Sequence, residues 1–170
     1  MKEKSNIILK ELTPRMVSKE YVNWMNNYEI TKYTEQKYTK HTMASIKKFV
    51  AGKKKSKYEF LYGIFLRKKN KHIGNIKLGP INFTHKYAII SYFIGNKNFW
   101  GKNCATKAIG QVVKIAKKMR LKKLEVGFYE MNYGSKKVLK KNNFKLEGIL
   151  KSRYLYKNKR CNSFIYGLIL

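Results

Sequence analysis

The 170-residue chain carries 39 Lys and Arg against 9 acidic residues, a net charge of +30, enough to attract polyanions on electrostatic grounds alone. The cations are 34 Lys and 5 Arg spread over the whole length; Arg, not Lys, makes the bidentate contacts that read bases, so nucleic acid is disfavoured as a partner. At this length one domain, residues 1–170, buries an adequate core, and two isolated cysteines exclude a disulfide framework or a Cys/His zinc site.

In chain order, MKEKSNIILKEL holds too short an apolar run for a secretory leader, and about 18 apolar residues never occur in succession. Neither secretion nor membrane insertion is expected, and with Cys104 and Cys161 unpaired the setting is a reducing cytoplasm. Asn6 to Leu12 predicts a strand. Thr13 before Pro14 is a helix-start signal, since the hydroxyl can cap free N–H groups and proline suits the first helical position; a helix is predicted from Pro14 to about Asn26. Tyr28 to Thr34 predicts a short helical turn, and Thr42 opens a further helix with Met43, Ile46, Phe49 and Val50 on one face.

Tyr58, Phe60, Tyr62, Ile64 and Leu66 alternate with strand periodicity, and the polar RKKNK turn leads into His72 to Leu78, a hairpin that Pro80 is expected to end. Tyr87 to Ile94 is almost wholly apolar and reads as a strand buried on both faces. Cys104/Ala105, Ala108/Ile109, Val112/Val113, Ile115/Ala116 and Met119 recur at helical spacing, with Lys107, Gln111, Lys114, Lys117 and Lys118 facing out. Leu124 to Tyr129 predicts a strand, Tyr133 to Lys141 a short helix, and Phe144 to Tyr156 with Cys161 to Leu170 a closing pair of strands. The order is β-α-α-β-β-β-α-β-α-β-β, an α/β (α+β) domain with helices on a mostly antiparallel sheet.

Between the apolar strand and the long helix lies Asn98 to Thr106. A loop there aims several backbone N–H groups and the positive end of a helix at one spot, which suits a pyrophosphate. Gly101 lets the backbone approach an anion, Ala105 keeps the helix start uncrowded, and Thr106 offers a hydroxyl.

The run WGKNCATKA, Trp100 to Ala108, resembles the pyrophosphate loop of the GNAT superfamily, in its RimJ/RimL-like branch, often written WGKGYATEA. A second run is similar to that family's N-x-x-S…EKxGF…EG signature: Asn132, Tyr133, Gly134, Ser135, then Lys140 to Phe144, then Glu147 and Gly148. His72 to Ile81 also looks like middle strands of a subgroup, so the resemblance spans nearly the whole chain.

The resemblance implies a GNAT fold binding acetyl-CoA as co-substrate, without a metal, in a cleft between the strands ending near Ile94 and Tyr129. Backbone groups of Phe93 and Ile94 would pair with the pantetheine arm. Gly101, Lys102, Asn103, Cys104, Ala105 and Thr106 would hold the pyrophosphate, with Lys140 nearby, and Asn132 would bond near the thioester. Ser135 matches the position suspected of protonating the leaving thiolate. Asn103 stands where a second loop Gly or Ala is usual, Lys107 where Glu is usual, and Asn143 where the EKxGF glycine is, a site that Asn tolerates in left-handed conformation.

The acidic residue that often serves as base on the central strand is absent, its matching position being Ile89. Glu35, in the loop where the family places its acceptor, is the first candidate for base or acceptor contact, against a surface ion pair with Lys32 or Lys37. His85 precedes the central strand and could accept a proton near neutrality, against a plain solvated loop histidine. Tyr38 belongs to the same acceptor loop as Glu35. Tyr92 could donate to the oxyanion, against ordinary core packing. Deprotonation relayed by water needs no dedicated base. Cys104 reads as a packing cysteine, and His41 and His72 as structural.

The implied reaction is direct attack of a primary amine on the thioester. A small-molecule acceptor is expected, an amino sugar or nucleotide-linked amino sugar for surface glycans, because Tyr33 to Thr42 resembles acceptor loops of sugar-acetylating members. The positive surface favours CoA and nucleotide-linked acceptors and disfavours polyamines. Acetylation of protein N-termini is the alternative of the same class, and a catalytically inactive nucleic-acid-binding module that of another. Monomer or homodimer are both compatible with the sequence.

Overall fold

A computed structural model describes residues 6–170. Seven strands form one sheet in the order β1-β2-β3-β4-β5-β7-β6: β1 Ile7–Glu11, β2 Phe60–Leu66, β3 Lys71–Asn82, β4 Tyr87–Ile94, β5 Lys123–Tyr129, β6 Lys145–Tyr156 and β7 Lys159–Ile169. Every pairing is antiparallel except β4 with β5. The α-helices are α1 Lys19–Met25, α2 Tyr28–Thr31, α3 Met43–Lys55, α4 Cys104–Lys118 and α5 Tyr133–Lys141. This is the expected mixed α/β fold.

Successive strand residues point to opposite faces, and the two faces have separate cores. On one, Ala88 and Ile90 of β4 and Leu124, Val126 and Phe128 of β5 pack with Ala108, Ile109, Val112 and Ala116 of α4 and Leu139 of α5. On the other, Tyr21 and Trp24 of α1 and Ile46 and Val50 of α3 cover Leu12, Leu61 and Phe65, with Phe93 packed against them.

Four local expectations are corrected. The helix foreseen from Pro14 is a 3-10 turn, Pro14–Met16, followed by a break, because Ser18 is extended and its hydroxyl accepts from the Tyr21 N–H to start α1; Thr13 makes no side-chain cap. Pro80 does not end β3. The pairing with β4 shifts register between Leu78 and Ile81, so proline occupies the irregularity, where no ladder N–H is needed. β4 is buried on one face only over its first half: Ala88 and Ile90 are buried, Ile89 and Ser91 exposed. Phe49 is exposed beneath the Lys53 ammonium, 5.2 Å from its ring, instead of joining Ile46 and Val50 in the core.

One outward assignment also changes. The Gln111 carboxamide reaches from α4 to the sheet edge, accepting from the Leu9 N–H (3.2 Å) and donating to the Ile7 carbonyl (3.0 Å), and so occupies backbone groups that β1, as an edge, would leave unpaired.

Candidate active site

The parallel ladder of β4 and β5 is short: Tyr87, Ala88 and Ile89 pair with Lys123, Leu124 and Glu125, and nothing beyond them pairs. From there the strands part toward Ile94 and Tyr129. The Gly95 N–H donates to the Ile73 carbonyl, 2.8 Å, so odd-numbered peptide groups at this end of β4 face β3, and by alternation those of Tyr92 and Ile94 face the gap. The Trp100 indole N–H, donating to the Ile94 carbonyl at 2.8 Å, marks that carbonyl as pointing away from β3. The Phe93 peptide lies in the ladder with Asn75, and its ring packs near Tyr21 and Trp24. By strand alternation the backbone groups of Tyr92 and Ile94, and not those of Phe93, face the gap.

Beside the gap α4 begins. Asn103 is its N-cap, in left-handed conformation (φ 58°), with no side-chain bond to the first turn; the opening amides of an α-helix have no intrahelical partner. Gly101 has φ +71°, and no atom lies within 4 Å of where a Cβ would project. The Thr106 Oγ1 is buried and without a hydrogen-bond partner. A left-handed turn, an uncapped helix start and an orphaned buried hydroxyl suit the oxygens of a diphosphate. Cys104 is buried, its thiol directed at the Lys102 carbonyl, 3.9 Å away, so it offers a backbone amide here and packs with its side chain. Lys102 is an exposed neighbour of the loop, its ammonium 5.6 Å from the Phe99 ring.

Helix α5 leans across both features. Asn132 caps it, its Oδ1 accepting from the Ser135 N–H at 3.1 Å, which leaves the NH₂ of the carboxamide as the group for a ligand. Ser135, buried, is 2.6 Å from the Tyr92 phenol oxygen, so β4 and α5 join hands across the gap. Burial pushes the Tyr92 phenol up to about 12, the Ser135 bond acting the other way; the phenol is protonated at neutral pH. At the far end of α5, the Lys141 ammonium donates to Asn103 Oδ1 (2.8 Å) and the Asn142 amide to the Thr106 carbonyl (3.2 Å). The lysine against the loop is therefore Lys141. Lys140 is exposed with its side chain one helical step round.

On the opposite face of the sheet, the Tyr129 phenol donates to Glu35 Oε1 (2.9 Å) and accepts from the Lys37 ammonium (3.0 Å). Burial, then the Glu35 bond, raises its pKa well above the ordinary tyrosine value. Tyr129 stacks on Tyr154 at 3.9 Å between centroids, and Tyr33 lies between Tyr129 and Tyr156. Tyr38 donates to the Leu155 carbonyl at 3.3 Å. Glu35 is exposed and pairs with neither Lys32, which holds Glu29, nor Lys37. Tyr129, the hub of this network, was read from the sequence only as the end of a strand.

His85 lies in the exposed turn before β4, its amide bonded to Asn82 Oδ1 (2.8 Å), at the opposite end of the strand from the gap. The strand that positions Tyr92 carries His85 away from it. Among the described residues no group of three or more His, Cys, Asp or Glu is placed to hold a metal, and no helix is long and apolar enough to cross a membrane.

A sheet whose two central strands run parallel and then diverge beside a helix N-terminus defines the fold class. Residues 6–145 match the acetyltransferase (GNAT) domain family, and the chain belongs to that family. A stretch of 93 residues is 36% identical to the probable N-acetyltransferase YjcK of Bacillus subtilis (strain 168), covering 54% of this chain and 51% of that protein; the chain thus spans about half the length of this curated relative. Among solved structures, a RimL ribosomal L7/L12 alpha-N-protein acetyltransferase in complex with coenzyme A superposes with a TM-score of 0.86 at 19% identity, covering 98% of this chain and 95% of that chain. The Vibrio cholerae spermidine N-acetyltransferase in complex with CoA and spermine gives 0.84 at 18% identity, covering 97% and 96%. At these identities the likeness bears on the fold.

Proposed function

We propose that this protein transfers the acetyl group of acetyl-CoA to a primary amine of a small molecule, specifically an amino sugar, free or linked to a nucleotide. The observation that carries the reading is the parting of β4 and β5 after Ile89 and Glu125, with the Ile94 carbonyl turned into the gap beside the uncapped start of α4. The thioester supplies an activated acyl carbon, so the protein's task is to hold, orient and move protons.

In this reading the backbone from Gly101 to Thr106 and the Thr106 hydroxyl receive the diphosphate, with the Lys141 and Lys102 ammonium groups adding positive charge. The Tyr92 and Ile94 peptides line the pantetheine arm, and the Asn132 NH₂ lies near its end. The Ser135 hydroxyl, bonded to Tyr92, faces the departing thiolate as hydrogen-bond donor. Since a thiol ionises near 8.5 and the Tyr92 phenol near 12, full transfer from the phenol is uphill by about 5 kcal/mol. The pair therefore serves first to stabilise developing charge, and the thiolate takes its proton finally from solvent.

The acceptor amine approaches on the face carrying Glu35 and Tyr129. Glu35, oriented by the Tyr129 phenol, is the group on that face able to take the amine proton, directly or through water. Tyr38, Tyr33 and Lys37 complete a wall of aromatic faces and polar groups suited to a sugar. The charge of +30 repels polyamines and basic peptide N-termini.

The test is release of free thiol from acetyl-CoA with a panel of amino sugars and amino-sugar nucleotides, beside spermidine and peptides. Turnover of the sugars alone supports the reading; preference for polyamine or peptide amines overturns the acceptor. Silence with every amine together with tight, salt-sensitive RNA binding favours a nucleic-acid module instead.

A further inference from the structure

Beside the last paired residues of β4, on the Glu35 face of the sheet, lies a hollow of about 500 Å³ bordered by Tyr58, Asn82, Phe83, Thr84, Tyr87 and Ile89. Small-molecule sites occupy roughly 300–1,000 Å³ and combine apolar walls with a few polar groups. This hollow has that composition. Tyr58 is 58% exposed, Phe83 47% and Ile89 37%, and the Tyr58 and Phe83 rings lie 5.8 Å apart at 55°. Clustered on one hollow, exposed apolar side chains of this size mark a binding site more often than the same residues scattered singly.

Ile89 ties the hollow to the proposed reaction. It lines the hollow, and it is also the last β4 residue to pair with β5, so the hollow ends where the gap begins. From Tyr87 the exposed side chains of Ile89 and Ser91 lead along one face of β4, and Tyr92 is five residues on, roughly 17 Å at an extended rise. No lining residue carries a charge. The Asn82 Oδ1 is engaged by the His85 amide, which holds the carboxamide in place at the edge.

Aromatic faces for a planar ring, with the Asn82 carboxamide and the Thr84 hydroxyl at its edge, form a set that matches a nucleobase. We propose that this hollow receives the nucleobase of a nucleotide-linked acceptor, with the phosphates running along the exposed Ile89 and Ser91 side of β4 and the sugar amine lying over the gap. The inference rests on the amino-sugar reading above and commits it to the nucleotide-linked form. It also gives a reason for an apolar residue at position 89: the site guides a ring past this point, where a carboxylate would face the phosphates.

The test uses the full chain without acetyl-CoA, and measures binding of uridine 5′-diphosphate, adenosine 5′-monophosphate and ribose 5-phosphate by calorimetry or saturation-transfer NMR. Expected is that at least one nucleotide binds more tightly than ribose 5-phosphate. Its Kd should weaken about tenfold or more when Tyr58→Ala and Phe83→Ala are combined, the scale of one lost base–aromatic stack, while Tyr58→Phe keeps it. Both side chains are exposed, so the variants should fold, which their far-UV spectra and Tm verify. Equal binding of sugar phosphate and nucleotides, indifference to the double substitution, or no nucleotide binding overturns the proposal. Nucleotide binding lost in the double variant with no amino sugar ever acetylated would instead overturn the acceptor reading and leave the hollow assigned.

Discussion

At the scale of single residues, the loop before α4 combines two features that can be separated by substitution. Gly101 has a positive φ and open space in front of it, so Gly101→Ala adds only backbone strain, about 1 kcal/mol or somewhat more. Gly101→Asp adds a carboxylate where the diphosphate is proposed to lie. The expected outcome is a steep rise in KM for acetyl-CoA with Asp and a modest one with Ala; equal effects of the two would remove the loop from the cofactor's path. For the pair across the gap, Ser135→Ala should lower kcat about 10- to 100-fold with little change in KM for acetyl-CoA, and Tyr92→Phe should lower it less, since Ser135 is nearer the proposed leaving group. A rise in KM without loss of kcat would make the pair a packing contact.

The loop glycine and the cap-and-serine spacing of Asn132 and Ser135 were readable because each is a backbone requirement written into a short run of sequence. Phe93 against Tyr92, and Lys140 against Lys141, were not: which side of a strand or helix a group faces depends on neighbours distant in sequence, here Asn75 and Asn103. Tyr129 was hidden for the same reason, because its partners Glu35 and Lys37 are 94 and 92 positions away.

At the scale of elements, the long helix, α5 and every strand were legible in the sequence, while the errors of boundary fell at prolines and the errors of facing at β4, Phe49 and Gln111. Pro14 begins a single turn because Ser18 supplies a better cap four residues later, and Pro80 is absorbed at an irregularity that only the β4 register reveals. Helix α1 carries its own test. It lies over His72, whose Nε2 is shared by the Gly74 carbonyl and Asn75 Oδ1 at 2.9 and 2.7 Å while its Nδ1 is buried without a partner. Burial holds its pKa below the ordinary value, the Asn75 and Gly74 bonds acting in the opposite sense. The folded state therefore prefers neutral imidazole. The preference costs nothing above the unfolded value of about 6.5, and below it the unfolded chain binds a proton that the folded one resists, so stability falls with pH, by at most about 1.4 kcal/mol per pH unit. Between pH 7 and 5 the Tm should drop, and His72→Phe, which cannot titrate, should flatten that slope; an unchanged slope in the variant would place the titration elsewhere.

At the scale of the whole molecule, the sheet separates the two proposed half-sites. Tyr92, Ser135, Thr106 and Lys141 belong with α4 and α5 on one face, while Glu35, Tyr38, Tyr129 and Ile89 lie on the other, and the parted strands are the passage between them. In the proposed reading such an arrangement would keep the two substrates from competing for one surface, and a general positive charge would attract the phosphates of both. The most direct test of this account is a crystal of the protein grown with excess coenzyme A. The account predicts diphosphate oxygens within hydrogen-bond distance of the amides from Gly101 to Thr106, and the thiol end between Tyr92 and Asn132. Density for the cofactor outside the gap, or a gap still closed by side chains at saturating cofactor, would contradict it.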